Sequence, residues 1–481
     1  MINLDHKAFF WREFDENEKP IQPKECQLIF NFHDGGEVRF LLNIDEEYDE
    51  QKYSKNIPKL YGLIKSAENK ISKSFTIVDL KLIEPPLWQL NSGLELTELR
   101  YSIEYIFLGS WLKNENSLDI MHIRYSYLEL FLNQLTTKQP QRIDNKTVAG
   151  MMVEKETIKS ISEDYNVLFN IDNALNQTTI NNKIVTYEVK NHLAIAKKEN
   201  FQIGDAINLS IVVKNFFEII TFYSQNQIFI EEFKVSQKDD VITVLFKQNN
   251  YVEEKQISHL DFLFKYEDIK ENFVQILNNW INHHHKNENE FSSFCNVISD
   301  KNTKFNVYSH FFQLISALEG YHRKNSTLDK EFLQKQKMYA KRLDYKKTSS
   351  LDKKKIKNFI TKLENKNEPS FRIRLKELIE LSDIKSIIKL SSSIHKSISN
   401  LIYNTRNDIA HSNKNIILTD KMQYVYEYLK LVSLLIMIKD ISLNHSNFSK
   451  HIFDFEFNDL KDNLEKAFEK NIQQNNSRVY K

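Results

Sequence analysis

The chain has 481 residues and a hydrophobic fraction of 41%, ordinary for a globular protein, and it is long enough for about two to four domains with cores of their own. The formal net charge of +1 conceals an uneven distribution: residues 1–100 hold 18 acidic and 13 basic side chains, whereas residues 321–362 hold 14 basic and 4 acidic ones. Eight glycines leave little material for a phosphate-binding Gly-x-x-x-x-Gly-Lys loop, and that loop, the dinucleotide fingerprint and the Gly-x-Ser-x-Gly elbow are all missing from the sequence.

MINLDHKAFFWREF (1–14) has no basic segment followed by a long apolar run, so no secretory leader is expected. QLIFNFH (27–33) and EVRFLLN (37–43), separated by Asp34-Gly35-Gly36, predict a hairpin, because those turn residues accept positive φ. SFTIVDLKLI (74–83), RYSIEYIFLG (100–109) and LDIMHIRY (118–125) predict further strands. SYLELFLNQL (126–135) has the three-and-four spacing of a short helix. The polar stretch TTKQPQRIDNKTVAG (136–150), with Pro140 and Gly150, is a candidate boundary. Strands are expected again at 165–171, 183–189, 207–213, 227–235 and 241–247. The tryptophans and tyrosines of this half, Trp88, Tyr101 and Trp111 among them, fit core or cross-strand positions.

After about residue 267 the period changes to that of helices. DIKENFVQILNNWINHH (268–284) places Phe273, Ile276, Leu277 and Trp280 on one face. FNVYSHFFQLISALEGYHR (305–323), FRIRLKELIELS (371–382) and IHKSISNLIYNTRNDIAH (394–411) follow the same pattern. The long apolar segment KMQYVYEYLKLVSLLIMIKDISL (421–443) suits a central bundle helix or one buried at an oligomer interface. The expected fold class is therefore α+β: a β-rich region over 1–285, with a subdivision near 136–150, then an all-α bundle over 286–481.

The two cysteines, Cys26 and Cys295, are far apart and match no metal spacing, which fits a reducing compartment. Consecutive His283, His284 and His285 point in different directions on a helix and read as a polar helix end, not a metal site. The longest strongly apolar run, LVSLLIMI (431–438), is far too short to span a bilayer. A cytoplasmic protein with no membrane partner, no cofactor and no metal is expected. The basic segment 321–362 is either a polyanion-attracting surface or a solvated helical face.

TRNDIAHSN (405–413) sits at the end of an apolar helical stripe formed by Ile394, Ile398, Leu401, Ile402 and Ile409. Asn407 and His411 are four residues apart and share a second face. Arg406 lies about 100° from Asn407 and about 140° from His411 around the helix. RNA can be cut without a metal when its 2′-hydroxyl attacks the adjacent phosphorus. That reaction needs a proton taken, a proton given and positive charge on the phosphate oxygens. Histidine titrates near neutral pH and suits the proton transfers. Arginine presents a fork of donors to phosphate, and asparagine can orient either group. One such patch offers one histidine, so two copies related by a two-fold axis are the natural site. The alternative reading of the same residues is a helix end whose histidine compensates the dipole.

Arg406-Asn407-Asp408-Ile409-Ala410-His411 resembles the arginine–polar–three residues–histidine motif of the HEPN superfamily. Its members are helical bundles, commonly dimeric, and many are metal-independent ribonucleases of toxin–antitoxin, CRISPR and abortive-infection systems. FFQLISALEGYHR (311–323) resembles the first core helix of ApeA-like HEPN domains, with Glu319, His322 and Arg323 at the glutamate and basic-end positions. More loosely, Phe9-Phe10-Trp11, the hairpin, and Gly109-x-Trp111 resemble the N-terminal region of ApeA-type anti-phage proteins. The tyrosine that some HEPN toxins carry two residues after the motif histidine is replaced by Asn413, so modification there is not expected.

The resemblance implies an abortive-infection effector: a homodimer or higher even-numbered oligomer that cuts cellular RNA, with tRNA among the candidates. Arg406, Asn407 and His411 are its catalytic residues, and Asp408, Glu319, His322 and Arg323 support them. A sensing region over 1–285 restrains or triggers it in response to a phage signal. Two other readings of the sequence stay open. One is a non-catalytic HEPN dimer that binds RNA or nucleotide, and the other is a ligand-binding module centred on the β-rich half.

Overall fold

A computed structural model of the chain describes residues 4–17, 19–31, 35–43, 56–65, 71–83, 87–91, 94–112, 117–132, 141–143, 146–148, 158–161, 165–170, 178–180, 184–186, 191–221, 228–238, 240–248, 262–299, 303–325, 370–410, 420–444 and 448–479. They fall into two compact units, residues 1–215 with 227–256, and residues 216–226 with 257–481.

In the first unit β1 (Leu4–Trp11), β2 (Lys24–Asn31), β3 (Gly35–Asn43), β4 (Asn56–Lys65), β5 (Ile71–Leu82), β6 (Leu87–Asn91) and β7 (Leu94–Ile103) pair in the order β5-β4-β1-β2-β3-β7-β6. A further pairing of β5 with β7, Lys81 opposite Ser102 and Leu82 opposite Tyr101, closes the row into a barrel. Alternate residues fill its interior: Ala8 and Phe10, Cys26, Leu28 and Phe30, Leu60 and Ile64, Phe75 and Ile77, Leu99, Tyr101 and Ile103. Two glycines share that inward register and make room for rings. A Cβ at Gly36 would lie 2.7 Å from Phe30 Cδ2 and 2.9 Å from Ile103 Cβ. A Cβ at Gly62 would overlap the Phe75 ring.

The hairpin is therefore real but its turn is displaced. Gly35 and Gly36 belong to β3, opposite Asn31 and Phe30, and the connection falls at 32–34, outside the described residues. Burial also raises the Cys26 thiol to about 12, so it stays protonated. Phe9, Phe10 and Trp11 lie on β1, where Trp11 packs edge-on to Phe14 and to Trp111. The side chain of Trp88 lies outside the described residues.

The expected strand 100–109 is broken at Glu104, and β8 (Tyr105–Leu108) pairs with β5 on its own. Beyond it the sheet continues through β9 (Leu118–Tyr125), β12 (Ile158–Ile161), β13 (Tyr165–Asn170), β16 (His192–Phe201), β17 (Ile230–Gln237) and β18 (Asp240–Phe246). These run in the order β8-β18-β17-β9-β16-β13-β12. The polar stretch 136–150 carries a separate hairpin of β10 (Gln141–Ile143) and β11 (Lys146–Val148), and β14 (Thr178–Ile180) pairs with β15 (Ile184–Thr186). A short helix α1 (Leu128–Phe131) follows β9 as expected.

The run 207–213 is not a strand. It lies in the 18-residue helix α2 (Ile203–Ile220). Its β-branched residues favour strands, but Ala206, Leu209, Ser210, Val213, Phe216, Phe217 and Ile220 are buried at helical spacing while Asn208 and Ile211 face out. The burial pattern outweighs the propensity.

The second unit is helical: α3 (Tyr266–Ile269), α4 (Phe273–Lys286), α5 (Glu288–Ser299), α6 (Thr303–Asn325), α7 (Phe371–Leu381), α8 (Ile384–Ile387), α9 (Ser392–Ala410), α10 (Asp420–Asp440) and α11 (Asn458–Val479). α10 is the central helix, packed by α4, α5, α6, α7, α8 and α11. Its residues from Tyr428 to Ile438 are buried on all sides. Most of the basic segment 321–362 lies outside the described residues. Among the described residues no helix is long and apolar enough to cross a membrane.

The three histidines do end α4, but the middle one departs from a polar reading. His284 is 4% exposed. It stands four residues after Trp280, on the apolar face, and packs against Trp280 and Phe291. Among the described residues no group of His, Cys, Asp and Glu could hold a metal ion.

Candidate functional site

α9 is anchored by Ile394, Ile398 and Ile402, all at most 1% exposed. One turn on, Thr405 replaces Ile409 as the buried residue, and its hydroxyl meets Met422 Sδ of α10 at 3.8 Å. This fixes the rotation of the helix and brings the next residue, Arg406, to the margin of the core. The Arg406 side chain is 31% exposed. Its Nη2 donates to Glu319 Oε2 of α6 at 3.3 Å, and its Cζ lies 5.5 Å from the centre of the Phe371 ring of α7. Its Nε–H is buried and has no hydrogen-bond partner among the described residues. Three helices thus hold one guanidinium and leave part of it exposed. Asn407 is half-buried and Asp408 exposed. His411 lies outside the described residues.

Glu319 sits 3.6 Å from Arg323, one turn further along α6, as well as beside Arg406. The carboxylate therefore stands between two guanidinium groups. His322 is 3% exposed and is engaged elsewhere. Its Nε2 lies 2.9 Å from Glu377 Oε2 and its Nδ1 3.1 Å from Nη1 of Arg374, which is fully buried. A guanidinium only donates, so Nδ1 accepts, and the Nε2–H donates to Glu377. Of the residues singled out in the sequence, Arg406, Glu319 and Arg323 form one connected cluster, and His322 belongs to a second, buried one.

Phe371, Arg374 and Glu377 belong to none of the sequence motifs. A signal for Arg374 was available: Phe371, Arg374, Leu375, Leu378 and Ile379 make up the buried stripe of α7, and an arginine on such a stripe requires a partner. Phe371 carried no signal, because its contact with Arg406 depends on how two distant helices cross.

Glu319, Arg323, Phe371 and Arg406 also fall within what comparison with known proteins finds. A model of the Apea-like HEPN family matches residues 312–447, and a model of the ApeA N-terminal domain 1 matches residues 6–280, more than half of the chain. No curated protein and no solved structure gives a significant match. The chain belongs to the ApeA family of anti-phage defence proteins, with an ApeA-like HEPN domain following its β-rich N-terminal domain.

Proposed function

We propose that this chain is a metal-independent endoribonuclease whose cutting of cellular RNA is held back, or triggered, by its β-rich region. The observation that carries the reading is the state of Arg406: a partly exposed guanidinium, held against Glu319 and Phe371 and beside Asn407, on the helix that leads into His411. An oriented, partly exposed cation suits a phosphate oxygen that gains charge. Arg406 holds the scissile phosphate, Asn407 orients it, and His411 takes the proton of the 2′-hydroxyl or protonates the leaving 5′-oxygen. Two copies, related by a two-fold axis, supply two histidines to one cleft. Asp408, Arg323 and the His322 cluster support that cleft, the basic stretch 321–362 gathers RNA, and the protein works in the cytoplasm.

Sequencing of RNA ends after expression tests this. Wild type produces new ends that carry a 2′,3′-cyclic phosphate and still form in vitro with EDTA present; His411→Ala produces none. A strict requirement for a divalent metal, or equal cutting by the variant, overturns the mechanism. A second reading is favoured by the Glu319–Arg406 ion pair, which already occupies part of the guanidinium. In that reading the helical domain binds RNA or nucleotide without cutting it, and neither protein generates ends.

A further inference from the structure

Next to Arg406, α7 and α9 make another contact that the catalytic reading does not use. Arg372, an exposed residue in the first turn of α7, lies with its Cζ 5.7 Å from the centre of the Tyr403 ring on α9. The same guanidinium donates through Nη2 to Asn400 Oδ1. Tyr403 and Asn400 are themselves half-buried. On a helix, Asn400, Tyr403 and Asn407 fall within a sector of about 60°, and Tyr403 precedes Asn407 by about 6 Å of rise. So one turn before the phosphate-binding pair, the same face of α9 carries an aromatic ring capped by a planar cation.

We propose that Arg372, held by Tyr403 and Asn400, is a stacking platform for the base of the nucleotide next to the scissile phosphate. The proposal rests on the ribonuclease reading above and names the part of the substrate that the site grips. An exposed guanidinium that lies over an aromatic ring and is tied at one edge by an amide offers a planar surface to a ligand, and a nucleobase is the planar π-group that stacks on it. The hydrogen bond that Arg372 donates to Asn400 Oδ1 sets the plane of the guanidinium before RNA arrives, so little side-chain entropy is lost on binding. The bland alternative, a surface cation–π contact that merely links two helices, makes no demand on RNA.

The test uses the full chain and short single-stranded 2′-methoxy RNA oligonucleotides of mixed sequence, which cannot supply the attacking hydroxyl. One abasic residue is placed at successive positions, and affinity is read by fluorescence anisotropy. Wild type is expected to lose roughly 5- to 100-fold in affinity when the abasic residue falls at one particular position. Arg372→Gln loses a similar factor on intact RNA and then shows no further loss at that position. Arg372→Lys restores only part, because an ammonium has no plane. Arg372 is exposed, so these variants fold even where Tyr403→Leu does not, and thermal melts check this. Wild-type affinity with an unchanged abasic profile in Arg372→Gln overturns the platform while leaving the ribonuclease intact. If wild type and Arg406→Ala both fail to bind or cut any RNA, the ribonuclease reading falls and takes the platform with it.

Discussion

Replacing His284 by phenylalanine should remove a pH dependence from the helical unit. The imidazole is wedged against Trp280 and Phe291, and neither ring nitrogen has a hydrogen-bond partner among the described residues. Burial lowers its pKa to about 4, helped by the neighbouring His285 and opposed by Glu288. An unfolded histidine titrates near 6.5. Between these values the unfolded chain holds a proton that the folded chain has released, so stability rises with pH across this window and falls as pH drops from about 6.5 toward about 4. At pH 5 the linkage costs about 2 kcal/mol relative to pH 7.5. Phenylalanine keeps a flat ring between the same neighbours and has no proton to release. Any packing difference between the two rings is the same at both pH values and cancels in the comparison. The assay is urea unfolding of wild type and His284→Phe at pH 7.5 and pH 5, followed through Trp280, the one tryptophan of the second unit. The variant should gain about 2 kcal/mol on wild type between the two conditions. Equal pH dependence in both proteins refutes the buried neutral imidazole.

Gly62→Ala should destabilise the barrel by about 3 kcal/mol, the upper end for overpacking, because the new methyl overlaps both the Phe75 ring and the Phe9 carbonyl oxygen. An unshifted denaturation midpoint for the β-rich unit refutes this. Tyr321 donates its hydroxyl to Asp440, whose two carboxylate oxygens lie 2.9 and 2.8 Å away and whose pKa burial already raises. Tyr321→Phe should therefore cost about 2 kcal/mol in thermal or urea unfolding, and a cost near zero would mean that water replaces the phenol. Glu319→Gln removes a negative charge beside Arg406, so RNA affinity should rise about five-fold, equivalent to about 1 kcal/mol. The ion pair is partly exposed, and its loss should cost under about 1 kcal/mol of stability. Unchanged or weaker RNA binding by Glu319→Gln removes the carboxylate as a competitor of phosphate.

Period carried most of the fold. The alternation in LDIMHIRY is the strand Leu118–Tyr125 residue for residue, and the three-and-four spacing of 305–323 and 394–411 gave helices whose ends differ from the expected ones by two residues or fewer. Period failed where propensity was allowed to overrule it, as in α2. It could not reveal the barrel, because closure depends on the distant pairing of Leu82 with Tyr101. Nor could composition separate a turn glycine from one that makes room. Gly36 looked like the former and is the latter, because its neighbour Ile103 is 67 positions away in the sequence. At the candidate site, local motifs marked Arg406, Asn407 and Glu319. The ring beneath Arg406 and the arginine beside His322 come from another helix, and only tertiary packing brings them in.

That second cluster bears on how many chains a cleaving site needs. A fully buried Arg374 is tolerated because His322 Nδ1 accepts from it and Glu377 stands on the far side of the same ring. The arrangement fixes one tautomer and uses both ring nitrogens of an imidazole that is 3% exposed. His322 therefore has neither a free lone pair for a 2′-hydroxyl nor a path to a leaving oxygen, although the sequence places it one turn from Glu319. Phosphodiester transfer by this route takes one proton and gives another. If His411 is the imidazole that each chain supplies, the second proton carrier must be the same residue of a second copy, or water. An obligate-monomer variant with full cutting activity would point to water; loss of activity with the dimer, and no cutting by heterodimers that pair one wild-type with one His411→Ala chain, would show that two copies share the chemistry.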